Sequence, residues 1–137
     1  KAVSLVDLDT VKPGLIHYDL GDCIRSCCNP SGEDPTDLLH VYFDLSLLES
    51  ILDGYCSIAR EFLTDLDFLY FPHCIRLLPL ELGLRFVIDH LQGNVYFKTS
   101  TDGQNLDRAN VQFRLTKSIE DQWDSIVALV ARYRGAT

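Results

Sequence analysis

Methionine is absent from the 137 residues, and tryptophan occurs once, as Trp123. A translated chain starts with methionine, so its absence predicts that Lys1 is a processing point or a cut within a longer polypeptide. Basic residues are also few: twelve Lys and Arg stand against twenty Asp and Glu, for a net charge of −8. Nucleic-acid binders need a basic stripe to displace counterions, so neither DNA nor RNA is an expected partner. Charged residues break every apolar run well short of the ~20 residues of a bilayer span. No signal-peptide pattern opens the chain, so a cytoplasmic protein without a membrane partner is expected.

Several chemical signatures are missing as well. The five cysteines, Cys23, Cys27, Cys28, Cys56 and Cys74, include no C-x-x-C pair and form an odd set. Reduced, structural thiols are therefore expected in place of a zinc site or a disulfide framework. His17, His40, His73 and His90 form no H-x-x-x-H or H-E-x-x-H pattern, which speaks against a zincin-like centre. A dinucleotide-binding G-x-G-x-x-G, a phosphate-binding Gly-Lys-Ser/Thr loop and a G-x-S-x-G nucleophile elbow are all absent.

What is present fits one globular domain, with 47% hydrophobic and 23% charged residues. Ala2 to Val6 is β-prone and leads into Asp7-Leu8-Asp9, a short strand that delivers acids at its end. After the Pro13-Gly14 turn, the segment from Tyr18 to Asp22 reads as a loop entering a helix that runs to about Cys28. Residues 29–37 have loop composition. From Asp44, the residues Leu45, Leu48, Ile51, Leu52, Tyr55 and Ile58 or Ala59 recur at three and four, one face of an amphipathic helix. Thr64-Asp65 or Asp67 is placed to cap the next helix.

That next segment, about residues 68–91, is apolar nearly all round, which predicts a rod buried on every side. Pro79 is expected to kink or divide it. Gln92-Gly93-Asn94 ends the rod, and Val95 to Phe97 is a short extended piece. Asn105 is placed to cap a helix whose inner side carries Ala109, Phe113 and Ile119. Trp123, Ile126, Val127 and Val130 continue the helical period to near Tyr133. The expected architecture is mainly α with a short β segment at the N-terminus.

Three constellations carry potential chemistry. Asp7 and Asp9 at a strand end have the charge and spacing to hold Mg²⁺, or are ordinary turn residues. Asp19 and Asp22, flanking Gly21, suit helix capping, although Asp19 is equally able to brace a neighbouring loop through its backbone amides. Glu81, Arg85 and Asp89 lie at i, i+4 and i+8 in the rod and share one stripe. That stripe is either the solvent-facing edge of the rod or the lining of a polar cleft with a fixed guanidinium.

The series Val6-Asp7-Leu8-Asp9-Thr10-Val11-Lys12-Pro13-Gly14 and His17-Tyr18-Asp19-Leu20-Gly21-Asp22-Cys23-Ile24-Arg25 resembles the C-terminal half of aminoglycoside-phosphotransferase-like kinases. Glu33-Asp34, Glu81-Leu82-Gly83-Leu84-Arg85-Phe86, Asp89 to Phe97, Asn105 to Ala109 and Gln112-Phe113 extend the likeness in order, and it is greatest to the N-acetylhexosamine 1-kinase branch. The resemblance implies the helical lobe of a protein-kinase-like α+β fold spanning residues 1–137. It also implies that Asp7 binds Mg²⁺ with ATP and that Asp19 steadies the catalytic loop from behind. It further implies that Arg85 and Tyr96 contact the sugar, with Asp9, Glu81 and Asp89 in support. The catalytic loop with its general base, the β-rich lobe and the hinge that holds adenine are missing from these residues, so this chain alone is expected to be inactive. Choline, homoserine and aminoglycosides are alternative acceptors within the superfamily. A non-catalytic helical binding module derived from a kinase lobe is the alternative outside enzymes.

Overall fold

The computed structural model describes residues 3–4, 11–35 and 37–135, and among these the regular structure is all helical. Five α-helices follow in order: α1 (Ile16–Cys27), α2 (Leu45–Ala59), α3 (Asp65–Leu91), α4 (Gln104–Asp121) and α5 (Trp123–Tyr133). A single 3₁₀ turn, Leu38–His40, precedes α2. The β segment expected over residues 2–6 falls largely outside the described residues, as do Asp7 and Asp9. None of these helices is long and apolar enough to cross a membrane.

Helix α3 is the axis of the fold, with α4 along one side, α1 along another and α5 against its first half. Its start is set by Thr64, whose hydroxyl accepts from the Asp67 backbone N–H while the Asp67 carboxylate accepts from the Thr64 N–H. That reciprocal pair satisfies two donors that the first helical turn would otherwise leave open. Thr64→Ala is expected to cost about 1 kcal/mol, read as a lower denaturant midpoint with an unchanged slope.

The core gathers Ile24 from α1, Leu48 and Leu52 from α2, Phe71 and Ile75 from α3, Leu115 and Ile119 from α4, and Ile126 from α5. Phe43, in the stretch before α2, joins them and is held there by two bonds from α4 and its end. Its N–H donates to Ser118 Oγ at 2.9 Å, and its carbonyl accepts from Gln122 Nε2 at 3.0 Å.

Several expectations need correction. Helix α1 begins at Ile16, before the predicted entry loop, so Asp19 and Asp22 are helical residues and cap nothing. Gly21, read as part of that loop, lies inside α1, where it lets the helix approach α3 closely. A Cβ at that position would lie 3.2 Å from Leu78 Cδ2. Pro79 does not divide α3, which runs unbroken through both Pro72 and Pro79 with the two rings buried against the neighbouring helices. Nor is α3 buried all round, since Leu66, Tyr70, Leu77, Leu84 and Ile88 are about half exposed along one side. At Gln122 the backbone leaves helical geometry, separating α4 from α5.

Candidate functional site

The C-terminal turn of α3 and the loop after it bring together the predicted residues Arg85, Asp89 and Tyr96. The helix ends through Gly93 and Asn94, both in the left-handed region at φ 92° and 60°. Asn94 N–H returns to the Asp89 carbonyl at 2.8 Å, which satisfies one of the last carbonyls of the helix. The chain then doubles back over the end of α3 as a loop with no extended strand.

Asp89 anchors that loop. It is 3% exposed, and its carboxylate accepts from the N–H of Tyr96 at 2.7 Å and of Phe97 at 3.0 Å. Asn105 Nδ2, from the first turn of α4, donates to the same carboxylate and to Asn94 Oδ1, each at 2.9 Å. Burial pushes the Asp89 carboxyl up, but the Phe97, Tyr96 and Val95 N–H groups and the Asn105 amide outweigh it and hold it below the usual carboxylate range. Asn105 is therefore the strut between Asp89 and Asn94 rather than the cap of α4, a place taken by Gly103.

A second set of bonds pins the far side of the loop. Arg108 on α4 makes a forked pair with Asp34, Nε at 2.8 Å and Nη2 at 2.9 Å, and donates from Nη1 to the Lys98 carbonyl at 3.1 Å. Gln104 accepts from Ser100 N–H and donates to Asp34. The Arg108 guanidinium beside Asp34 holds that carboxyl below its ordinary value.

With the loop fixed at both ends, Tyr96 and Phe97 lie under the Arg85 guanidinium. Its Cζ is 5.5 Å from the Tyr96 ring centroid and 5.4 Å from that of Phe97. Arg85, Ile88, Asp89, Gln92, Tyr96 and Phe97 line an open cleft of about 300 Å³, at the small end of ligand sites. It offers a cation with several fixed donors, an aromatic face and no free carboxylate, because the Asp89 oxygens are taken up by the loop. Such a set suits a neutral, polyhydroxylated molecule, whose hydroxyls accept from Arg and whose C–H faces pack on an aromatic ring.

The stripe of Glu81, Arg85 and Asp89 does not share one environment. Each step of four residues advances a helix by about 40° beyond a full turn. Glu81 and Arg85 are thus exposed, 3.8 Å apart, while Asp89 has rotated into the core. Asp19 is not part of this cleft. It lines a separate hollow of about 250 Å³ with Val11, Lys12, Gly14, Leu15 and Tyr18. Asp7 and Asp9, assigned to Mg²⁺, lie outside the described residues, and among those described no group of three His, Cys, Asp or Glu is arranged to hold a metal ion.

Larger hollows occur between α2 and α5, about 470 Å³ beside Glu49 and Arg132, and between α1 and α3, about 410 Å³ beside His17 and Tyr70. Neither contains a residue assigned to the metal or to the sugar. Compared with known protein families, the chain matches none.

Asp34 and Asp89 at the site, and Asp67 at the start of α3, have folded-state pKa values below their unfolded ones. Their stabilisation is present above the unfolded carboxylate value of about 3.9 and is lost as pH falls through the lowered folded values. Thermal unfolding followed from pH 7 to pH 2.5 is expected to show a plateau above about pH 5 and a steep loss below about pH 4.

Proposed function

We propose that residues 1–137 are the helical, acceptor-binding part of an ATP-dependent sugar kinase. The reaction is transfer of the ATP γ-phosphoryl group to the anomeric hydroxyl of an N-acetylhexosamine, giving a sugar 1-phosphate and ADP. The observation that carries the proposal is the meeting of Arg85 with Tyr96 over a loop locked by Asp89. Those are the two residues to which the family resemblance assigns the sugar.

In this reading Arg85 donates to sugar hydroxyls and Tyr96 supplies the apolar face, so the acceptor is oriented before the nucleotide arrives. Glu81, at the cleft edge, limits the swing of Arg85. Asp19, on the opposite flank of the helical part, steadies the catalytic loop. Mg²⁺ bound with ATP, through Asp7 with Asp9 beside it, would neutralise phosphate charge. The general base that takes the hydroxyl proton and the groups that hold adenine belong to the remainder of the kinase, so this segment alone does not turn over. Among acceptors of the wider superfamily, choline and aminoglycosides are cationic and would meet the Arg85 charge, with only the exposed Glu81 at the cleft edge to offset it. This favours the neutral sugar.

The test is ³¹P NMR of the polypeptide carrying this sequence with ATP, Mg²⁺ and N-acetylglucosamine or N-acetylgalactosamine. A new sugar 1-phosphate resonance growing in step with ADP is the expected result. Transfer to choline, homoserine or an aminoglycoside but to neither sugar would refute the acceptor assignment. Sugar binding without transfer would leave a non-catalytic binding module.

A further inference from the structure

Among the described residues, the open side of α3 is an extended apolar face without a cover. Leu66, Tyr70, Leu77, Leu80, Leu84 and Leu91 are between 39% and 77% exposed. With His73 and Val87 they recur at alternating intervals of four and three residues along the whole helix, the seam of a two-stranded coiled coil. Helices α1 and α5 border this face in its first half, with His17 beside Tyr70 and Trp123 beside His73, and leave the leucines between them open. Half-exposed side chains of this size present roughly 700 Å² together with Leu69 and Ile88, close to the ~800 Å² each partner contributes to a standard interface. A patch of that extent is uncommon on a monomer.

We propose that this face binds a second copy of the chain, α3 against α3, parallel and in register. The charges flanking the seam select that arrangement. Arg76 precedes Leu77 on one edge, and Glu81 follows Leu80 on the other; both are exposed. In a parallel, in-register pair each Arg76 faces the Glu81 of the other copy, five positions further on, whereas an antiparallel pair sets like edges together. The Arg76 guanidinium rests over the Trp123 ring, with Cζ 5.2 Å from the centroid, which narrows its range along that edge. The other flanking positions near the middle of the seam, Leu69, Cys74, Gly83 and Ile88, carry no charge. His73, the polar member, packs at a tilt against Trp123, with ring centroids 5.3 Å apart, and marks one register among several that the leucines alone would permit. Ile88 also lines the Arg85 cleft, so the docked copy lies beside the cleft mouth. The inference rests on the α3 face and is independent of the sugar reading.

Sedimentation velocity on the chain at tens of micromolar is expected to give a single species of twice the chain mass. Leu77→Glu with Leu84→Glu, both on the open face, is expected to give a monomer with unchanged helical circular dichroism. Arg76→Glu or Glu81→Arg alone is expected to weaken the dimer at least tenfold, and the two together to restore it. A monodisperse wild-type monomer, polydisperse aggregation, or a dimer that survives the two glutamates would each overturn the proposal. Failure of the charge swap to restore the dimer would overturn the parallel register.

Discussion

Arg85→Ala is expected to raise the KM for the sugar on the order of 100-fold while leaving the KM for ATP within about twofold. The argument for that size is geometric. Among the described residues the guanidinium is the only cation lining the cleft, and it lies over two rings. Removing it takes away charge-assisted bonds to hydroxyls, each worth about 1.5–3 kcal/mol, and leaves the aromatic face without its polar counterpart. Arg85→Lys is expected to recover only a small part, because a single ammonium cannot present parallel donors from above the rings. The measurement is steady-state kinetics with each substrate varied in turn. Equal rises for sugar and ATP, or a loss of thermal stability that accounts for the change, would return Arg85 to a role on the helix surface.

The second large effect belongs to Asp89→Asn, a positioning change. The carboxylate accepts from two backbone N–H groups and the Asn105 amide at 2.7–3.0 Å. An amide side chain offers one acceptor oxygen and turns an NH₂ toward donors, so at least one loop N–H is orphaned in a buried setting. The loop should open without unfolding α3 and α4, whose packing does not depend on it. Hydrogen exchange is expected to accelerate at least 100-fold at the Tyr96 and Phe97 amides and to remain protected across Leu115 and Ile119. Sugar affinity is expected to fall at least tenfold in the same variant, because Tyr96 no longer lies under Arg85. Protected loop amides beside lost affinity would show that Asp89 acts by some route other than holding the loop.

These two residues also show what a sequence makes legible and what it does not. The spacing Leu45, Leu48, Ile51, Leu52, Tyr55 and Ile58 or Ala59 located α2, because a helix packed on one side writes its period directly into the chain, whereas the capping by Asp44 emerged only from the structure. Thr64 with Asp67 marked the start of α3 for a similarly local reason. Periodicity was silent on whether the apolar circumference of α3 is covered, since hydrophobicity records a need for a partner and not the partner's presence. It was silent, too, on the start of α1, where Gly21 and the two acids look like a loop until the close approach to Leu78 supplies the reason for glycine.

The candidate site divides along the same line. Arg85 and Tyr96 are eleven positions apart and were paired by family resemblance, not by any local pattern. The structure brings the two side chains together. Asp89 was grouped with Glu81 and Arg85 by helical spacing, yet the bonds that matter to it come from residues 94–105. The brace considered for Asp19, a carboxylate gripping loop amides, is the part that Asp89 plays. Asn105, Arg108, Gln104 and Asp34 were missed as supports because their partners lie up to seventy-four positions away. For Asn105, Arg108 and Asp34 the one visible signal was position within the family-like segments Glu33-Asp34 and Asn105 to Ala109; Gln104 had none.

The central claim, that the Arg85–Tyr96 cleft receives a neutral sugar, is most directly tested by titrating the ¹⁵N-labelled chain with N-acetylglucosamine and N-acetylgalactosamine. Millimolar ligand suffices to detect weak binding. Saturable shifts at the Tyr96 and Phe97 amides and at the Arg85 side-chain Nε–H, absent with choline and abolished in Arg85→Ala, are the predicted result. Shifts confined to other surfaces, or none with either sugar, would contradict the claim.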